Sequence, residues 1–230
     1  IVKTMMRIDL PKVLKSRQKV KFSIDWNYNI NHSKMVGGRT GCEYFEKDGN
    51  YIYEIAQWFP RMVAYTDVNG WQHKQFLGRG EFTLEFGDYL VSITAPADHV
   101  VASTGVLQNP KAVLTKVQMA RFKASKTAKT PQFIITPKEA LANEKSRSKK
   151  NKTWTFKAKK VRDFAFASSR KFIWDAQGLK QGGKRTIMAM SYYPNEGEPL
   201  WSRYSTHSII HTINIYSRYT AAIIIICHRW

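Results

Sequence analysis

Short runs of β-branched and aromatic residues, broken by Gly, Pro, Asn and Asp, dominate the chain from Met5 to about residue 105 and predict successive strands and hairpins. The cleanest alternation is Val20-Lys21-Phe22-Ser23-Ile24-Asp25-Trp26, apolar and polar in period two, the pattern of a strand with one buried face. Lys47-Asp48-Gly49-Asn50 places turn formers between Tyr44-Phe45 and Tyr51-Ile52-Tyr53, which predicts a hairpin. Glu81 to Phe86 alternates again, Gly87-Asp88 is expected to break it, and Tyr89 to Thr94 resumes it. The expected topology is an antiparallel meander.

Pro110 to about Lys126 changes character. Val113, Leu114, Val117, Met119 and Phe122 fall near helical spacing among Lys, Gln and Arg, predicting a short amphipathic helix or an exposed excursion. Gln132 to Thr136 is a predicted strand and Pro137 to Leu141 a helical turn. The segment Glu144 to Lys152 has no apolar residue and is expected to be a solvated loop. Strands are predicted again at Thr153–Ala158, Phe164–Ser168, Phe172–Trp174 and Thr186–Ser191. A dense breaker cluster, Tyr193-Pro194-Asn195-Glu196-Gly197-Glu198-Pro199, precedes a helical pattern from Leu200 to about Tyr219, with Tyr204, Ile209, Ile213 and Tyr216 on or near one stripe. The expected division is therefore a β domain over 1–193 and the start of a second domain over 194–230. The fold class is mainly β.

Composition sharpens this picture. A chain of 230 residues that is 43% hydrophobic can bury a substantial core, so a mainly disordered chain is excluded. Its formal net charge of +20 suggests a polyanion partner until it is mapped. Residues 111–160 hold 15 basic and 2 acidic side chains, whereas 41–100 hold 4 and 9. The charge is regional. Cys42 and Cys227 are too few and too far apart for a disulfide scaffold. Ile1-Val2-Lys3-Thr4 shows no secretory leader pattern, and the chain looks cut at its start. The longest apolar run, Ala221 to Cys227, spans 7 residues. A membrane-spanning helix needs about 20, so no transmembrane segment is expected.

Candidate chemistry is sparse. His207 and His211 stand at i and i+4, the spacing that aims two imidazoles at one metal ion. A zincin helix would read H-E-x-x-H, but Ser208 replaces the Glu and no acidic residue follows Glu198, so surface or packing histidines are expected and no metal site is assigned. The basic stretch 111–160 interleaves Phe122, Phe133, Trp154 and Phe156, which could stack on bases. The competing expectation is that these aromatics enter a sheet core while lysines cover its wet face, and nucleic acid is then not the expected partner. Gly78-Arg79-Gly80 lacks a third glycine for a dinucleotide loop, Gly37-Gly38 and Gly182-Gly183 read as hinges, and Glu81 and Glu85 as a solvated strand face. No nucleophile elbow surrounds a serine or either cysteine.

One ordered series of segments says more. It comprises Ala56-Gln57-Trp58-Phe59-Pro60-Arg61, Ala64-Tyr65-Thr66-Asp67-Val68-Asn69-Gly70-Trp71, and Gly80-Glu81-Phe82 with Gly87-Asp88-Tyr89. It continues through Ala95 to Gly105, Leu107-Gln108-Asn109, Thr153-Trp154-Thr155-Phe156, Val161 to Ala167 and Tyr192-Tyr193-Pro194. Over about residues 5–220 this series resembles the N-terminal β domain of aminopeptidase N-like zinc metallopeptidases, followed by the first helix of their catalytic domain.

The resemblance implies a saddle-like antiparallel β-sandwich or sheet domain beside a thermolysin-like catalytic domain that removes N-terminal residues from peptides. It implies Zn²⁺ as the cofactor of the full-length protein, polarising the scissile carbonyl and activating water with a Glu as general base. Neither H-E-x-x-H nor G-x-M-E-N occurs here, so this chain alone is expected to bind no catalytic zinc and to hydrolyse nothing. Ala221 to Trp230 departs from the family's continuation and is expected to be a truncation or frame artefact. Strands expected before Met5 are missing, which would leave an unpaired sheet edge. The resemblance assigns one substrate-binding role, contact with the peptide's free amino group, and Gln57 is its best candidate. A neutral amide can accept from an ammonium through its carbonyl, with less attraction than a carboxylate. Arg61, Asp67, Arg162 and Asp163 are expected to be pairing and turn residues. The alternatives are a basic module binding nucleic acid or anionic glycans through 111–160, and a non-catalytic scaffold.

Overall fold

The computed structural model describes residues 1–37, 40–75, 83–181 and 185–219. In chain order, α1 (Ser33–Val36) leads into the hairpin of β1 (Gly41–Phe45) and β2 (Asn50–Ile55), then into a small hairpin of β3 (Tyr65–Thr66) and β4 (Gly70–Trp71). The long strand β5 (Gly87–Pro96) is followed by β6 (Val100–Ser103) and β7 (Val106–Leu107). Next come the helices α2 (Pro110–Val113) and α3 (Lys116–Ser125), β8 (Gln132–Ile135) and α4 (Pro137–Glu144). Four strands close the β-rich part: β9 (Asn151–Val161), β10 (Phe166–Ser169), β11 (Ile173–Gln181) and β12 (Arg185–Tyr193). A 3-10 turn at Asn195–Gly197 then precedes α5 (Leu200–Tyr219). Strand exceeds helix and, among the described residues, the named strands pair antiparallel, so the chain is mainly β.

Two compact units emerge. The first joins Ile1–Asn29 to Phe59–Phe86; the second joins Ile30–Trp58 to the chain from Gly87 onward. In the first unit Tyr65 and Trp71 meet edge-on at 5.2 Å across the β3/β4 hairpin, and Asp67 lies in its turn. The strand expected at Val20–Trp26 does not form: these residues are irregular, and Val20, Phe22 and Trp26 remain exposed. Period-two alternation supplies an amphipathic face but no ladder, and a strand needs the hydrogen bonds of a neighbour. Residues 83–86 are irregular too, while Glu81 and Phe82 lie outside the described residues.

In the second unit the sheets run β1-β2-β10-β6, β12-β11-β8 and β5-β9-β7. Gly87-Asp88 does not break the chain as expected. It opens β5, and a register shift between Gly87 and Tyr89 absorbs the irregularity as a bulge. The sheets bury Val101, Ile134, Ile135, Trp154, Phe164, Ile173 and Trp174. At about 25 cal/mol per Å² of apolar surface, such side chains each contribute roughly 1.5–3 kcal/mol to folding. Both α3 and α4 begin in capping boxes, Thr115 with Gln118 and Thr136 with Glu139, which satisfy amide groups at each helix start.

The segment expected to be a solvated loop is anchored at its start: Glu144 is buried, and Arg147 donates to Glu144 O at 2.6 Å and Asp48 O at 3.1 Å. On α5 the face turned inward carries Ser202, Thr206, Ile210 and Ile213, while Tyr204, Ile209 and Tyr216 are exposed. The stripe expected from periodicity is thus displaced, because Thr206 reaches the buried Asp175 on β11 and that polar contact sets the helix rotation. No helix among the described residues is long and apolar enough to cross a membrane.

Candidate functional site

Strand β2 ends at Ile55, and the next three residues form the best-defined polar feature near its end. Thr40 grips the backbone there: its Oγ donates to Glu54 O at 2.9 Å and accepts from Ala56 N at 3.1 Å. Trp58 is held on the other side, donating from Nε1 to Phe164 O at 3.0 Å and meeting Phe166 edge-on at 5.5 Å. Between these anchors Gln57 adopts φ +54°, in the left-handed region that side-chain-bearing residues rarely occupy, and its side chain is exposed. Such a conformation costs on the order of 1–3 kcal/mol and persists because both neighbours are pinned. The result is a held backbone that presents a primary amide to solvent. The amide carbonyl can accept from a cation such as an ammonium, and its NH₂ can donate to a carbonyl.

Three further polar clusters sit in the second unit, each centred on a buried side chain. Lys171 is fully buried, with its ammonium hydrogen-bonded to Asp48, 3.2 Å from Glu144 Oε1 and 2.9 Å from Glu196 Oε1. Burial alone would lower the Lys171 ammonium, but hydrogen bonds to Asp48, Glu196 and Glu144 carry it above the ordinary lysine value. Burial likewise works to raise Asp48, yet bonds from Lys171 and Asn50 hold it below the usual carboxylate range. This is a tie joining the β1/β2 turn, α4, the chain before β11 and the 3-10 turn.

Asp175, also buried, receives hydrogen bonds from the hydroxyls of Tyr193 and Thr206, and Ser191 Oγ lies 2.7 Å from Thr206 Oγ1. Burial raises its carboxyl above the usual range, against the lowering effect of the two hydroxyls. The third cluster contains the Asp-His-Ser set that nucleophilic chemistry would need. His99 Nδ1 lies 2.9 Å from Ser168 Oγ, but Asp98 is turned away, pairing with Arg170 Nε at 3.0 Å and accepting from Ser148 N at 2.6 Å. Burial, followed by the nearby Arg170 charge, pulls the His99 imidazole down to about 4, so it is neutral at pH 7. His99 and Ser168 are both 5% exposed, and with Asp98 paired elsewhere the three do not form a relay.

No protein-family profile, curated protein or solved structure matches the chain. The site must therefore be weighed on its own residues.

His207 and His211 are both exposed on α5, with parallel rings 6.5 Å apart. Among the described residues no group of three or more His, Cys, Asp or Glu is placed to hold a metal ion. In the basic stretch Trp154 and Phe156 are buried and stacked at 6.5 Å, whereas Lys111, Lys116, Lys123 and Lys129 are exposed. Arg121 is engaged by Glu139 at 2.6 Å. Asp163 accepts from Phe164 N at 2.8 Å and Arg61 lies over the Phe59 ring at 5.9 Å. Cys42 is a free, buried thiol in β1. Gly38, Gly78, Arg79, Gly80, Gly182, Gly183 and Cys227 lie outside the described residues.

Sequence reasoning missed Thr40, whose clamp fixes the turn, and it missed Lys171 and its partners. A Thr preceding a strand carries no local signature of such a role.

Proposed function

We propose that this chain is the N-terminal β-rich portion, with the first following helix, of a zinc-dependent aminopeptidase-like metallopeptidase. In this reading Gln57 binds the free amino group of the peptide. The observation that carries the reading is the conformation of Gln57: an exposed residue in left-handed backbone, where glycine would be less strained, with the chain held on both sides of it by Thr40 and Trp58. The ordered series of segments from Ala56 to Pro194 and the helix that follows the breaker cluster support the same reading.

The chain's own contribution is binding and orientation. Gln57 would hold the α-ammonium through its carbonyl oxygen, and Thr40 and Trp58 would keep the backbone that carries it in place. Zinc, in the complete protein, would supply Lewis-acid chemistry from residues beyond those described. The chain alone is predicted to be inactive.

The gene downstream of Thr220 provides the test. Finding H-E-x-x-H with a later Glu, together with G-x-M-E-N, is the expected result; an open reading frame lacking all of them would leave a non-catalytic scaffold or a basic binding module.

A further inference from the structure

A partly open cavity of about 570 Å³ lies in the second unit, within the 300–1,000 Å³ typical of small-molecule sites. Its walls are apolar and deep: Met188, Met190 and Tyr192 from β12, Phe122 from α3, and Trp154 and Phe156 from β9. Close-packed interiors leave few voids larger than a water molecule, so space of this size between sheets is a constructed feature of the fold.

Two glycines hold the walls where they are. A Cβ at Gly178 would lie 2.1 Å from Lys126 O, so only glycine lets the end of α3 seat against β11. Gly105, itself in the lining, has φ +94° and would place a Cβ 2.7 Å from Lys157 O. Both approaches are to backbone, which cannot swing aside.

Besides the indoles of Trp154 and Trp174, the polar side chains of the lining are Ser103, Thr104, Thr186, Tyr192 and Lys126. Lys126 is the only charged residue among the described residues of the lining, and its Nζ lies 5.5 Å from the centre of the Phe122 ring. From there the aromatic contacts continue: Phe122 to Trp174 at 5.4 Å, and Trp174 stacked on Tyr192 at 5.1 Å. The Tyr192 hydroxyl has only the Met190 thioether, at 3.8 Å, as a hydrogen-bond partner among the described residues, and burial pushes its phenol up so that it stays protonated. A thioether is a weak acceptor, which leaves this donor available. The site thus offers a cation, a phenolic donor and a large apolar volume, with no acidic side chain in the described lining.

We propose that this cavity binds a small amphipathic carboxylate, with its alkyl or aryl body between β12 and β9 and its anionic head at Lys126. The proposal is independent of the peptidase reading, because none of its residues belongs to the Gln57 turn.

The test uses the whole chain and cis-parinaric acid, a polyene fatty acid whose fluorescence rises in apolar surroundings, displaced by sodium dodecanoate. The expected result is saturable binding and displacement at one site. Lys126→Gln should weaken dodecanoate about fivefold while leaving methyl dodecanoate unchanged, the scale of one partly exposed charge contact. Met188→Trp, which fills the cavity from a half-buried position, should weaken acid and ester alike by at least about tenfold. Absence of saturable binding to the wild-type chain overturns the proposal. An equal effect of Lys126→Gln on acid and ester overturns it too, as does full retention of binding by Met188→Trp.

Discussion

Thr40 Oγ accepts the Ala56 amide at 3.1 Å, and that single hydroxyl sets where strand β2 stops and where Gln57 begins. Replacing it with the near-isosteric Val removes the bond and leaves the Ala56 N–H without its partner. Thr40→Val should destabilise the chain by about 1–2 kcal/mol, read from the urea midpoint. Faster amide exchange at Ala56 and Gln57, with exchange in β9 changed only through global stability, would locate the effect.

Gln57 holds left-handed backbone that glycine adopts without steric cost. Gln57→Gly relieves roughly 1–2 kcal/mol of strain and adds roughly 0.5–1 kcal/mol of unfolded-state entropy. The expected outcome is equal or greater stability, by up to about 1 kcal/mol, in thermal unfolding. A large loss instead would mean that the Gln57 side chain supports the fold, and its assignment to ligand binding would fail.

Lys171 carries the heaviest structural demand. Lys171→Met leaves Asp48, Glu144 and Glu196 facing one another with no cation and should cost about 3–5 kcal/mol in urea unfolding. Glu196 is 47% exposed, so Glu196→Gln should cost less than about 1 kcal/mol. Similar losses from both variants would contradict a buried tie centred on the lysine.

His99 makes stability depend on pH. Its folded value of about 4 lies below the ordinary 6.5, so between these values the unfolded chain takes up a proton that the folded chain refuses. Stability from this residue is therefore present above pH 6.5 and is lost as pH falls toward 4. Asp48 and Asp98, both held below the ordinary 3.8, extend the loss to lower pH as they protonate. His99→Gln should flatten the urea midpoint between pH 6.5 and 4 relative to wild type; an unchanged slope would contradict a buried neutral imidazole.

The parts of the fold legible in the sequence are those whose cause is local. Lys47-Asp48-Gly49-Asn50 contains everything the β1/β2 hairpin needs, and the breaker cluster before Leu200 places the start of α5 correctly. Val20–Trp26 fails because alternation defines a face and says nothing of a partner strand. The rotation of α5 was hidden for a similar reason: Thr206 is turned inward by Asp175, 31 residues earlier, and apolar periodicity cannot register a buried polar contact. Lys171 reaches Asp48 across 123 positions, so its tie has no sequence signature. Of the candidate site, Gln57 was legible only through resemblance; its left-handed backbone and the Thr40 clamp come from the packing of β2 against what precedes it.

The central claim, that Gln57 binds a substrate ammonium, is tested most directly by steady-state kinetics of the protein encoded by the complete gene, with an aminoacyl-coumarin substrate. Removing one neutral hydrogen bond to a charged group should raise KM in Gln57→Ala by about 5–20-fold with kcat little changed. Gln57→Glu, which adds a carboxylate, should lower KM below that of Gln57→Ala. Chelator-sensitive turnover with this ordering is the predicted result; KM values unaffected by either substitution, or no aminopeptidase activity at all, would contradict it.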